Sequence, residues 1–273
     1  MPTDRINGFH MYYEVAGQGV PLLFVHGGLG GGRGSALFRQ HHMAALAQHV
    51  HVIAFDRRAA GRSETPSTEY SFARFVTDIV ALLDHLGHER AVLMGTSAGG
   101  PQVLQCALSY PERVIALVLG STATQTVNVP PALASLVTFL GTEGLTHLQS
   151  MLARSNTAPS GPPVEPLAPL EPVAGILQTY LAYHMHGNPI AARLGEITVP
   201  ALILHGTADE EVPFVEAERL HAGLSAAVLV PFTGAGHGIM VSHAEPYRQA
   251  IIAFLSSLAA SSSRGGSGSG LSA

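Results

Sequence analysis

The stretch Ala91-Val92-Leu93-Met94-Gly95-Thr96-Ser97-Ala98-Gly99 decides how this chain folds. Its first four residues form an apolar run of strand length, and a helix-like stretch from Pro101 to Ser109 follows it. Ser97 is therefore expected on a sharp strand-to-helix turn, the geometry of a nucleophile elbow. Such a turn forces the serine to a positive φ, and side chains two residues to either side would meet the backbone, so glycine is required at 95 and 99. The hydroxyl is then held out at the top of a sheet, at the start of a helix.

Downstream, the buried-strand pattern Ala201 to His205 runs into Gly206-Thr207-Ala208-Asp209, which puts a carboxylate on the loop after a second strand. The apolar run Ala227 to Phe232 leads into Gly234-Ala235-Gly236-His237-Gly238 and delivers an imidazole after a third. Upstream, Pro21 to Val25 ends in His26-Gly27-Gly28-Leu29-Gly30, and His51 to Phe55 ends in Asp56-Arg57-Arg58-Ala59-Ala60-Gly61-Arg62-Ser63. Taken together, and with the chain order Ser97, Asp209, His237, these segments resemble the α/β-hydrolase superfamily over roughly residues 5–258.

The resemblance implies an α/β fold, with a mostly parallel eight-stranded sheet flanked by helices and a helical cap insertion. It implies a serine esterase or lactonase-like site in which Ser97 is the nucleophile, His237 the base and Asp209 the orienting acid. Backbone N–H groups of Ala98 and Gly28, aided by Leu29, would form the oxyanion hole. Glu210 and Glu211 adjoin the acid and read as solvated, while His26 and Asp56 read as supports of their own loops. Two positions depart from the family pattern: Ala59 stands where relatives carry glycine, and Ala98 is small where many carry a longer residue.

The remaining periodicity agrees with alternating strands and helices. Residues from Arg5 to Val15 suggest an opening hairpin, and Ala91–Gly95, Val114–Gly120 and Ala227–Val230 read as further strands. A stripe through Phe72, Phe75, Val76, Ile79, Leu82, Leu83 and Leu86 marks a helix, with Ser71 as N-cap and Gly87 as stop. The alternation fails after Ala123. The chain is therefore divided into a core at 1–122 and 196–258, a helical cap at 123–195, and a flexible Ser/Gly tail at 259–273.

Composition bounds the chemistry. The chain has 273 residues, 47% of them hydrophobic and 12% charged, which suits one large domain with a sizeable core. Its 14 basic residues, all arginine, face 19 acidic ones for a formal charge of −5, so no basic footprint for nucleic acid is expected. Without lysine there is no Walker A loop and no Schiff base. The one cysteine, Cys106, forms no intrachain disulfide and reads as a buried core residue. No secretory leader and no apolar stretch of about 20 residues is seen, so a cytoplasmic protein away from membranes is expected.

No metal site follows from the 15 histidines: His88-Glu89 is followed by Val92 rather than a second histidine, and His184 and His186 lie two apart on different helix faces. The G-x-G-x-x-G spacing fails at Arg33 and at Ser35, so no dinucleotide cofactor is expected. The expectation is a cofactor-independent hydrolase of a carboxylic ester or lactone of a small apolar molecule. The same residues would also serve a thioesterase, a carbon–carbon bond hydrolase, a lyase, or a ligand-binding protein with little turnover. Phe139, Met151, Tyr180, Tyr183, Met185 and Met240 are expected to shape the substrate pocket.

Overall fold

A computed structural model describes residues 3–28, 35–66, 70–125, 144, 179, 181–183 and 190–265. Eight strands form one sheet in the order β1-β2-β4-β3-β5-β6-β7-β8. They are β1 (Thr3–Ile6), β2 (Phe9–Ala16), β3 (Pro21–Val25), β4 (His51–Phe55), β5 (Ala91–Thr96), β6 (Val114–Gly120), β7 (Ala201–Gly206) and β8 (Ala227–Phe232). The β1–β2 and β2–β4 pairings are antiparallel, and every pairing from β4 to β8 is parallel.

The opening hairpin turns at Asn7 and Gly8, with φ of 47° and 91°. Two consecutive left-handed residues make the turn whose twist matches the flanking strands. Beyond it, period-two alternation sorts the core into two layers. Leu23, Val25, Ile53, Leu93, Leu117 and Ile203 face one cluster, while Leu22, Phe24, Val52, Val92, Met94 and Leu202 face the other. Helix α1 (Phe72–His85) and helix α2 (Gly99–Ser109) cover the first face. The second is covered by the helical segment containing Phe38 and Leu46 and by the last helix. Strands buried on both faces read as continuous apolar runs, which is why these segments are legible.

Helix α1 begins where expected: the Ser71 Oγ accepts a hydrogen bond from the Arg74 N–H at 3.1 Å, and Gly87 follows at φ +74°. Helix α3 (Val215–Gly223) and the short α4 (Ile239–Ser242) precede α5 (Ala244–Gly265). Helix α5 continues from 259 to 265, into the segment expected as a tail. Ala259 and Ala260 are strong helix formers, and propagating an existing helix is cheap even through serine. Most of the expected cap lies outside the described residues.

Chain order places the site. After β3 the chain adds β4 on one side and then crosses to β5 on the other. The ends of β3 and β5 therefore diverge at a topological switch point, the position where open α/β sheets bind ligands.

Candidate active site

Val25 at the end of β3 pairs with Gly95 in β5, so the loops that follow them are neighbours. At the β5 exit Ser97 has φ +48°, the left-handed conformation that the elbow requires. A Cβ on Gly95 would stand 2.7 Å from the carbonyl oxygen of Gly99, and one on Gly99 would run into the carbonyl of Val25. Glycine at both flanks thus lets strand, turn and helix close on each other. The Ser97 N–H donates to the Gly120 carbonyl at 3.0 Å, and the Thr122 hydroxyl donates to the Ser97 carbonyl at 2.5 Å. These bonds tie the turn to the end of β6.

Ser97, Asp209 and His237 meet. His237 Nε2 lies 3.1 Å from Ser97 Oγ, and its Nδ1 lies 2.9 Å from Asp209 Oδ2. Because a carboxylate only accepts, Nδ1 carries the proton and Nε2 offers its lone pair to the serine. Asp209 is buried and held on its other side, where Oδ1 accepts from the N–H groups of Glu211 and Val212 at 2.9 and 2.8 Å. His205 Nε2 stands 3.3 Å from Asp209 Oδ2 and 2.8 Å from the Val212 carbonyl. Both neighbours accept, so this Nε2 bears the proton. Burial holds His205 below the usual histidine range and keeps it neutral.

The loop after β3 is fixed from behind by Arg57. This buried guanidinium donates through Nη2 to the carbonyl oxygens of Gly27, at 3.0 Å, and Gly28. In a trans peptide the C=O and N–H point in opposite directions, so holding the Gly27 carbonyl aims the Gly28 N–H away from Arg57. His26 assists, with Nδ1 2.7 Å from the same carbonyl and Nε2 accepting the Arg57 N–H at 3.1 Å. Burial, with the positive charge of Arg57, keeps His26 neutral well below the ordinary histidine range. Asp56 anchors its own loop as expected, accepting from the Ser35 hydroxyl and from the Arg62 N–H at 3.0 Å.

A cavity of about 510 Å³ opens beside Ser97 and His237. Gly27, Gly28, Leu37, Ser121, Met240 and Tyr247 are among the residues that line it. Met240 is placed as expected, whereas Tyr183 corrects its expectation. It is buried, its ring sits edge-on to Phe72, and its hydroxyl donates to the Ala98 carbonyl while accepting from Gln102 and, at 3.2 Å, from Arg57. Tyr183 is thus a strut between the elbow and the Arg57 clamp. Glu211 is exposed as expected, with its carboxylate 3.7 Å from His237 Nε2 at the cavity edge. Leu29, Phe139, Met151, Tyr180, His184, Met185 and His186 lie outside the described residues.

A family model described as alpha/beta hydrolase fold matches residues 20–162, and a second, described as TAP-like protein, matches 185–263. The chain belongs to the α/β-hydrolase family. A non-heme chloroperoxidase of Streptomyces lividans is 31% identical over 92% of this chain and 98% of its own length. The 2-hydroxy-6-oxononadienedioate/2-hydroxy-6-oxononatrienedioate hydrolase of Paraburkholderia xenovorans is 27% identical, covering 90% of each chain. Among solved structures, the enol-lactonase of Burkholderia xenovorans superposes with a TM-score of 0.73 at 21% identity, over 93% of this chain and all of that one. This α/β hydrolase is an enzyme of a family whose members differ in the bond they act on.

Proposed function

We propose that this α/β hydrolase cleaves a carboxylic ester or lactone of a small, uncharged substrate through an acyl-enzyme on Ser97. The observation that carries the reading is the unbroken line from Asp209 Oδ2 to His237 Nδ1, at 2.9 Å, and from His237 Nε2 to Ser97 Oγ, at 3.1 Å. A serine hydroxyl is a weak nucleophile until a positioned base accepts its proton, and this line supplies the base and the group that orients it.

In the first half-reaction Ser97 Oγ attacks the carbonyl carbon as its proton passes to His237 Nε2. Negative charge collects on the substrate oxygen, where the N–H groups of Gly28 and Ala98 are the proposed donors. Collapse of the tetrahedral adduct breaks the bond to the alkoxide, which takes the proton from His237. Water then attacks the acyl-enzyme with His237 as base, releasing the acid and restoring the serine hydroxyl. The Glu211 carboxylate at the cavity edge repels an anionic substrate, which favours a neutral ester or lactone over a carboxylated one.

A fluorophosphonate probe with p-nitrophenyl butanoate tests the proposal. Wild type should label rapidly and hydrolyse the ester. Ser97→Ala should not label, and its kcat should fall roughly ten-thousand-fold. Full turnover in Ser97→Ala, or a folded wild type that neither labels nor hydrolyses, would overturn it.

A further inference from the structure

Two residues that line the cavity carry buried hydroxyls with no partner among the described residues: Ser121 through Oγ and Tyr247 through Oη. Both residues are buried, Ser121 at 5% and Tyr247 at 0% relative exposure. They reach the wall from different elements, Ser121 from the residue after β6 and Tyr247 from the first turns of α5. Between them lies Gly120, which also lines the cavity.

The local structure is built around these groups at some cost. Ser121 adopts φ +44°, a conformation that a residue with a side chain avoids unless its surroundings enforce it. Its N–H is spent on the Leu204 carbonyl at 2.9 Å, so the backbone is locked while the hydroxyl stays unpaired. At Gly120 a Cβ would run into the phenol oxygen of Tyr247, so the missing side chain is what admits that oxygen. The Tyr247 ring is gripped by His42 and Phe232, with centroids 5.4 and 6.2 Å away. A phenylalanine would make the same ring contacts without burying an unsatisfied hydroxyl.

Buried hydroxyls demand a partner, and whatever fills the cavity beside Ser97 decides whether they find one. An apolar ligand leaves them stranded, whereas an oxygen-bearing ligand satisfies them. We propose that Ser121 and Tyr247 form a polar subsite that takes a hydroxyl or keto oxygen of the substrate close to the scissile carbonyl. Each hydroxyl both donates and accepts, and neither carries charge, so the subsite selects a neutral oxygen function. The Ser97 N–H bonds the carbonyl of Gly120, the residue before Ser121, so the subsite adjoins the nucleophile. This deepens the ester reading above and rests on it.

Three esters test the subsite: ethyl butanoate, ethyl 3-hydroxybutanoate with the extra oxygen on the acyl half, and 2-hydroxyethyl butanoate with it on the alcohol half. Wild type should turn over one of the oxygenated esters with a kcat/KM roughly ten- to hundred-fold above ethyl butanoate, and the preferred one identifies the half that the subsite reads. The advantage should fall about tenfold, through KM, in Tyr247→Phe and in Ser121→Gly. Both substitutions suit their sites, since phenylalanine keeps the ring and glycine fits a positive φ, so melting temperatures near wild type are expected.

A wild type with no preference for either oxygenated ester, or a preference that survives in both variants, overturns the proposal. If wild type cleaves none of the three, the ester reading stands or falls on the p-nitrophenyl butanoate test above, and the subsite is read by binding. Ser97→Ala protein should then be stabilised against heat more by an oxygenated ester than by ethyl butanoate, and adding Tyr247→Phe should abolish the difference. Equal stabilisation by all three overturns the subsite as well.

Discussion

Arg57 carries no chemistry of its own, yet its two nitrogens decide where a key N–H points. It spends Nη2 on the carbonyls of Gly27 and Gly28 and Nη1 on the Tyr183 hydroxyl. Arg57→Met keeps the length and apolar stem but releases those carbonyls, so the Gly28 N–H loses part of its aim. Steady-state kinetics on an ester should show kcat reduced roughly ten- to hundred-fold with KM moving far less, because the lost contact matters most when charge develops. An unaltered kcat would mean that His26 alone holds the peptide. Ala59 offers a second residue-level test, since it sits at φ +57°, a left-handed conformation that favours glycine. Ala59→Gly should raise the unfolding free energy by about 0.5 kcal/mol in urea titrations, the relief of a left-handed alanine outweighing the added freedom of the unfolded chain. Ser97, Asp209 and His237 were legible in sequence because each follows an apolar run at a glycine-marked turn. Arg57, His205, Ser121 and Tyr247 were not, because their roles come from partners far along the chain, such as Tyr183 for Arg57 and Gly120 for Tyr247.

Elements whose residues carry their own stop and start signals follow the sequence closely. Helix α1 is one: its apolar stripe, the cap at Ser71 and the left-handed Gly87 are all local. Ser71→Ala removes the acceptor for the Arg74 N–H at an exposed helix start and should cost about 1 kcal/mol, read as a lower urea midpoint with an unchanged slope. A shift below about 0.3 kcal/mol would show that water replaces the cap without loss. Strand β8 and helix α5 are less legible at their ends. Pro231 looks like a stop, yet it pairs with His205 inside β8, because an edge strand can hold a proline whose missing N–H faces no neighbour. Helix α5 runs on to Gly265 through residues whose composition alone suggests a loose tail. A helix anchored by Tyr247, Ile251 and Leu255 in the core supplies the nucleus that a Ser- and Ala-rich segment lacks alone.

Across the whole molecule, the site is assembled from loops that leave β3, β5, β7 and β8, so its geometry survives only as long as the sheet does. Acid should dismantle the sheet through buried histidines. His42 is enclosed between Phe38 and Tyr247, with Nε2 2.6 Å from the Met240 carbonyl, and burial depresses it from 6.5 to about 4. Burial likewise holds His26 and His205 below their ordinary range. A histidine depressed in the folded state leaves the unfolded chain binding more protons between the two pKa values. The stability it contributes is complete above 6.5 and is lost as pH falls toward the folded value. For His42 the window runs from 6.5 to about 4, and at about 1.4 kcal/mol per pH unit the loss amounts to about 3 kcal/mol, with His26 and His205 steepening the same slope. Urea unfolding followed by circular dichroism at half-unit steps across this window should show stability falling by more than one proton's worth per unit. His42→Phe, which fills the site with an uncharged ring, should flatten the slope by about one proton. A slope identical to wild type would show that His42 takes up its proton in the folded protein, and that carboxylates elsewhere carry the acid sensitivity.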